Sequence, residues 1–437
     1  MISRGLGSLS SLAIALAIGA AVMRARPSFG AAFAALPDSL TLALPAVVIG
    51  FALARSRIAQ QWLAVPALSS LALLAVLLWP PARVSDSTPL AIAALAIAFA
   101  PLIARAQFGL AVAALPVIEL ALGRNGIGQV AGRAARSGDH ATLLGVFCLL
   151  LALAWLADLA AAQLGHHGEA ATLTPHGLLL RIAVTIAAAG LIVAAIGPTL
   201  AGPASLVLES PIPFQRMRPP SSLDWLGTDQ LGRDLLARIC GATRSSLLLG
   251  GATALAGSLA ATASTLAASS LGLGGLRVHK RIEQGVLLLP LIPLVSGSVA
   301  LAGSASIGTA MLLGVLAWAV AAGRIRPRAE VALATASVWR TRSLGGSALD
   351  VTRRHVLPAL TPSALGGGLT ALATVLIAES SLALVTGDRA PLGGVLADSV
   401  GAGALPAGNW WYGGIAGAWA AMLATSVLVL ARAERLA

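Results

Sequence analysis

The sequence predicts an all-α polytopic membrane protein of about 12 transmembrane helices in two six-helix halves. Three observations carry this. Only 11% of the 437 residues are charged and 57% are hydrophobic, against roughly a quarter charged in soluble globular domains. Apolar runs of about 17–25 residues, the length that crosses a bilayer core, recur along the chain. The runs are continuous and do not alternate with polar residues, which sets aside a membrane β-barrel.

Taken in order, spans are expected near 8–23, 39–54, 62–79, 88–104, 108–122 and 143–161. A second set is expected near 178–201, 246–272, 285–304, 306–323, 364–386 and 413–431. Arg4 ahead of the apolar stretch 12–22 has the outline of a signal peptide, but spans follow directly, so an uncleaved first span is expected. The halves fall at 1–165 and 166–437. Six plus six puts both termini on one side of the plasma membrane. With that side cytoplasmic, about 17 Lys and Arg fall inside and about 12 outside. The bias is strong in the second half, where Arg277, Lys280 and Arg281 share one loop and the arginines from Arg324 to Arg354 share another.

The net charge of +12 sits in short loops between apolar runs and is not interleaved with aromatic stacking platforms. It therefore reads as a topology signal, and nucleic acid is not an expected partner. Cys148 and Cys240 are far apart and form neither a redox pair nor a disulfide framework. His166 and His167 are adjacent on a loop, which does not make a metal site. Lys280 lacks the glycine-rich frame of a phosphate-binding loop, so no nucleotide-binding motif, catalytic residue, cofactor or metal is expected in this chain.

Two polar segments exceed turn length: 202–245, expected outside and rich in proline, and 324–357, expected inside, helical in composition and broken at Pro327 and Pro358. Between them, Gly257, Ala261, Thr265 and Ser269, and likewise Gly250, Ala254, Ser258 and Thr262, repeat every four positions. Small residues at that spacing let helices approach closely in lipid.

Three stretches resemble one family. The outer segment runs through Thr228-Asp229, Gly232-Arg233-Asp234, Arg238 and Gly241-Ala-Thr-Arg244. It is similar to the motif before the second span of the C-type permease subunit of dipeptide, oligopeptide and nickel ABC importers. The inner segment has Gly345 and the Leu357-Pro358 pair at the spacing of the family's ATPase-docking loop, with His355 where the peptide branch usually has histidine. Trp339-Arg340-Thr341, followed by Arg342, replaces the loop's acidic opening. Glu379-Ser-Ser-Leu, then Pro391-Leu-Gly393-Gly394 and Trp410-Trp411, resembles the end of the same subunit. More faintly, Leu36 onward, Leu115-Pro116 to Glu119, and Gly126-Ile-Gly128 to Asp139 look like a B-type subunit.

The resemblance implies a fusion of a shortened B-type subunit with a C-type subunit, acting as the permease of a binding-protein-dependent importer of peptides or related small solutes. The implied partners are cytoplasmic ABC ATPase subunits, an extracytoplasmic substrate-binding protein and membrane lipid. ATP hydrolysis would lie in the separate ATPase, so the chain itself is not expected to be an enzyme. Only 105–107 separate two spans in the first half, which leaves no room for a second docking helix. Glu119 and Glu379 either line a pathway, as intramembrane carboxylates often do, or pair with an arginine or backbone group at the outer interface. The competing readings are a secondary transporter of two six-helix repeats and a non-transporting membrane scaffold.

Overall fold

The structure is a computed structural model that describes residues 34–41, 126–163, 177–201, 216–222, 224–287, 304–404 and 407–433. Isolated positions are also described within 43–49, at 92, within 115–119 and within 289–299. The spans expected near 8–23, 62–79 and 88–104, and most of those near 39–54, 108–122 and 285–304, lie outside the described residues, as do 105–107.

In chain order the helices are α1 (Ile127–Ser137), α2 (His140–Gln163), α3 (Gly177–Ala201), α4 (Leu235–Ser270), α5 (Gly272–Leu287), α6 (Ala305–Leu333), α7 (Ala336–Ser343), α8 (Ala348–Val351), α9 (Leu357–Thr386), α10 (Leu392–Gly401) and α11 (Trp410–Ala433). Among the described residues the one extended pairing is a single bridge between Thr228 and Asp234. Segments in α3, α4 and α6, the run Ala348–Ala383 and a segment in α11 are each long and apolar enough to cross a membrane. The chain is a multi-pass helical membrane protein, and these five segments coincide with five of the six spans expected in the second half.

Four sequence expectations need correction. The outer loop does not extend to 245. Asp234 accepts hydrogen bonds from the Leu236 and Ala237 amides, each at 3.2 Å, and starts α4 at Leu235, so Arg238 and Arg244 stand on a helix. Satisfying the first orphan amides of a helix is what an aspartate cap does. Arg277, Lys280 and Arg281 belong to α5 and not to a loop, because Leu276, His279 and Glu283 supply that segment with a buried face at helical spacing. Pro327 does not break α6. A proline inside a helix costs about 3 kcal/mol, but Ala322, Ile325 and Ala329 are fully buried around it and hold the segment on both sides of the missing hydrogen bond. Nor does Pro358 end the inner segment. A π turn over Thr352–Val356, in which the Leu357 amide reaches back to the Thr352 carbonyl, carries α8 into α9. Its wider ladder gives the proline ring room against the preceding turn.

Packing centres on α4. At about 1.5 Å per residue its 36 residues span about 54 Å, so it projects beyond a bilayer core of about 30 Å. Gly250, Ala254, Gly257, Ser258, Ala261, Thr265 and Ser269 form its buried face against α6 and α9; Thr262 is half-buried. A Cβ on Gly257 would stand 2.6 Å from the Ala317 Cβ and 2.7 Å from the Trp318 backbone nitrogen. The Ser258 hydroxyl donates to the Ala364 carbonyl at 3.0 Å. Residues of α1 and α2 join the same core, where Ile127, Ala131, Val146 and Leu150 are buried, and α1 touches α9.

Gly257→Val should lower the stability of the solubilised chain by about 2 kcal/mol or more, since backbone atoms of α6 cannot give way as a side chain does. Gly251→Ala, which opens on free space, should be neutral or stabilise by about 0.5 kcal/mol. The unfolding midpoints of the two variants in one detergent check both outcomes.

Candidate functional site

The directions of the helices place chemistry at two opposite ends of the bundle. One end holds the start of α4, the end of α9, α10 and the start of α11. The other holds α5, the end of α6, α7 and α8.

At the first end a carboxylate organises the loop. Gly227 and Gly232 take positive φ of 80° and 83°, a left-handed geometry that glycine adopts without steric cost. This turns the chain around Asp229, which is fully buried. Its Oδ1 accepts from the Leu231 and Arg233 amides at 2.8 and 2.9 Å. Its Oδ2 accepts from Arg233 Nε at 2.7 Å and from Arg238 Nη1 at 2.9 Å. Thr228, also buried, accepts from the Arg218 amide through Oγ1 at 2.8 Å.

Arg238 then reaches across the bundle. Its Nη2 donates to Asp398 Oδ2 on α10 at 2.8 Å, and Nη1 meets the Tyr412 hydroxyl of α11 at 3.3 Å. Arg389 Nε approaches Asp398 Oδ1 at 3.3 Å. One guanidinium thus ties the loop and α4 to α10 and α11. Thr228, Asp229, Gly232, Arg233, Asp234 and Arg238 come together here, while Arg244 stands exposed on α4 beside them. Asp398, Arg389 and Tyr412 were not singled out from the sequence. The available signal was Asp398, an acid within the apolar stretch 392–401, since a carboxylate there needs a cation and Arg238 needs an anion.

Among the described residues Glu119 and Glu379 do not pair with arginine. Glu379 Oε1 accepts from the Ser246 hydroxyl at 2.9 Å and lies 3.5 Å from the Gly393 amide, while the Ser246 oxygen accepts from the Leu392 amide at 2.9 Å. Glu119 Oε2 accepts from the Gly128 amide at 2.8 Å, and Ser39 Oγ accepts from the Ile127 amide at 2.9 Å. In both places a serine and a glutamate hold the first two amides of a short helix, α10 or α1. Carboxylates at a helix N-terminus also interact favourably with its dipole.

At the opposite end α7 closes in a left-handed turn. Gly345 has φ 84°, its amide donates to the Arg342 carbonyl at 3.0 Å, and the Gly346 amide donates to the Thr341 carbonyl at 2.9 Å. This is a Schellman end. Ser347 and Asp350 then form a capping box that starts α8. His355 Nε2 lies 2.8 Å from Thr341 Oγ1, which pins the two arms of the hairpin together. The hairpin presents Trp339, Leu344 and Leu349 to solvent at 72%, 83% and 73% exposure. Arg340, Arg342, Arg353 and Arg354 are exposed around them, as are Leu357 and Pro358 at the root.

Behind the hairpin, Arg326 on α6 bridges Glu283 of α5 at 3.0 Å and Glu330 at 2.6 Å. His279 Nε2 lies 3.0 Å from Ser264 Oγ, which accepts from Trp318 Nε1 at 3.0 Å. Burial, and then the Arg326 charge, push the His279 imidazole below its ordinary range. Burial also pushes the Glu283 carboxyl up, against the pull of Arg326. Among the described residues no cluster of His, Cys, Asp or Glu could hold a metal ion.

Fold and site define a helical membrane protein with an ion-paired loop at one end and a basic, apolar-tipped hairpin at the other. No protein-family model matches the chain. It is similar to two curated permeases. One is the glutathione transport system permease protein GsiD of Pectobacterium atrosepticum, 31% identical over 139 residues, or 32% of this chain and 46% of that protein. The other is the probable peptide ABC transporter permease protein y4tQ of Sinorhizobium fredii, 27% identical over 174 residues, or 40% of this chain and 59% of that protein. The chain thus spans about half the length of the curated relatives it matches.

Arg238→Met should destabilise the chain by about 3 kcal/mol, because it strands buried carboxylates that have lost their shared cation. The double variant Arg238→Met/Asp398→Leu should lose less than the two single variants combined. Denaturation of all three in detergent gives the coupling.

Proposed function

We propose that this chain is the permease component of an ATP-driven importer of peptides or related small solutes, working by alternating access with a separate cytoplasmic ATPase. The observation that carries this reading is the hairpin of α7 and α8. A tryptophan and two leucines project into solvent at the tip of a rigidly capped turn, where a monomer gains nothing by exposing them. Ringed by arginines, they have the composition of a protein-contact surface. The similarity to the glutathione permease GsiD and the probable peptide permease y4tQ supports the same reading and the class of cargo.

In this reading the chain fuses two permease halves, 1–165 and 166–437, of the B and C types. The inner contact is concentrated on Trp339–Arg342, Gly345 and the His355–Pro358 root. The turn around Asp229 faces the outer side, where a substrate-binding protein delivers cargo, and both termini lie in the cytoplasm. Alternating access follows from ATP-driven displacement of the hairpin. Among the described residues there is one such hairpin, in the second half, so an ATPase dimer with two grooves would receive one helix per copy of the chain.

Copurification with an ABC-type ATPase should be retained by the natural chain. It should fall at least about tenfold in the double variant Trp339→Glu/Leu344→Glu, which buries two charges at the contact, with its unfolding midpoint little changed. Transport by the purified chain alone, driven by an ion gradient, would overturn the reading.

Topology gives a second check. In a background with Cys148 and Cys240 replaced, a cysteine at Trp225 should react with an impermeant maleimide from outside the cell, and one at Leu344 only after the membrane is opened. The reverse labelling pattern would invert the assignment.

A further inference from the structure

At the end of the bundle that carries Asp229 there is a cavity of about 420 Å³. Arg233, Arg238, Arg244 and Arg389 line it, with Ser245 and Val395 completing part of the wall, and none of its lining residues is acidic. The four guanidiniums are not equally engaged. Arg238 is held by Asp229 and Asp398. Arg233 binds Asp229 through Nε, while its buried Nη2 has no hydrogen-bond partner among the described residues and stands 3.9 Å from Asp398. Arg389 touches Asp398 through Nε and is otherwise largely exposed. Arg244 makes no ion pair among the described residues. Among the described residues two carboxylates thus face four cations, and the excess positive charge faces the cavity.

Arg244 lies nine residues past the start of α4, about 14 Å along its axis, and lines the same cavity with an exposed side chain. A buried guanidinium nitrogen that lacks a partner, as Arg233 Nη2 does among the described residues, is expensive to maintain. Several guanidiniums around one cavity offer planar, paired donors matched to a carboxylate, and the volume falls in the range of small-molecule sites, roughly 300–1,000 Å³.

We propose that this cavity binds a small organic solute through its carboxylate group or groups. Binding requires only this chain. That the solute is the transported cargo, held by its carboxylate end, rests on the transport reading above.

The test is calorimetric titration of the purified, detergent-solubilised chain with glutarate in low-salt buffer, beside glutaramide and inorganic phosphate. Saturable binding of glutarate is expected, with none for the neutral diamide. Arg244→Gln/Arg389→Gln removes the two guanidiniums least involved in the buried ion pairs. It should weaken glutarate binding about tenfold while leaving the unfolding midpoint in place. Absence of saturable glutarate binding, equal binding of glutaramide, or an unchanged affinity in the double variant would overturn the proposal. So would a cavity that takes phosphate or retains an anionic phospholipid in preference to glutarate, which would assign it to a phosphate group. If glutarate binds and no ATPase copurifies, the transport reading fails and the site stands; if an ATPase copurifies and glutarate does not bind, the reverse holds.

Discussion

The fold depends on how closely the backbone of α4 can approach its neighbours. In lipid, apolar side chains gain little by exchanging acyl chains for one another, so helices associate through close contact and interhelical hydrogen bonds. Gly257 lets α4 meet the backbone of α6, and Ser258 donates to a carbonyl of α9. From that contact the rest is positioned. The N-terminal end of α4 carries Arg238 into reach of α10 and α11, and its C-terminal end places α5 where Glu283 meets Arg326 of α6 and His279 lies between Ser264 of α4 and Trp318 of α6.

Much of this was legible in the sequence because hydropathy and small-residue spacing are local signals. The spans that became α3, α4, α6, α9 and α11 were visible as apolar runs, and the buried face of α4 as a four-residue repeat. Helix ends were less legible. The apolar run that marks α4 begins well after its first residue, since Arg238 and Arg244 lie within its first three turns, Arg238 held by Asp229 and Asp398 and Arg244 lining the cavity. Pro327 and Pro358 misled for a related reason: a proline rule describes an isolated helix, whereas packing around Ile325 and a π turn at 352–356 accommodate them in place.

The site divides in the same way. Asp229, Arg233 and Arg238 were found because they sit within ten residues of one another. Asp398 and Tyr412 lie 160 and 174 residues beyond Arg238, Arg389 lies in the same region, and nothing local joins them to Arg238. Glu119 and Glu379 were noticed as acids in apolar surroundings, but their partners are backbone amides, which sequence does not display, and for Glu379 also the hydroxyl of Ser246, 133 residues away. The pairing of Ser39 and Glu119 with Ile127 and Gly128, beside that of Ser246 and Glu379 with Leu392 and Gly393, is a geometric correspondence between separate parts of the chain.

The π turn has a mechanical consequence. Because it does not interrupt the helix, residues 348–386 form one continuous helical body of 39 positions, about 58 Å long at the ordinary rise. The hairpin is fixed to one end of this lever, and the Glu379 carboxylate that grips α10 sits near the other. A tilt of about 10° about its midpoint would carry each end through about 5 Å, as follows from that length. A push of a few ångströms on Trp339 and Leu344 would therefore be felt at α10 and at the wall of the arginine-lined cavity.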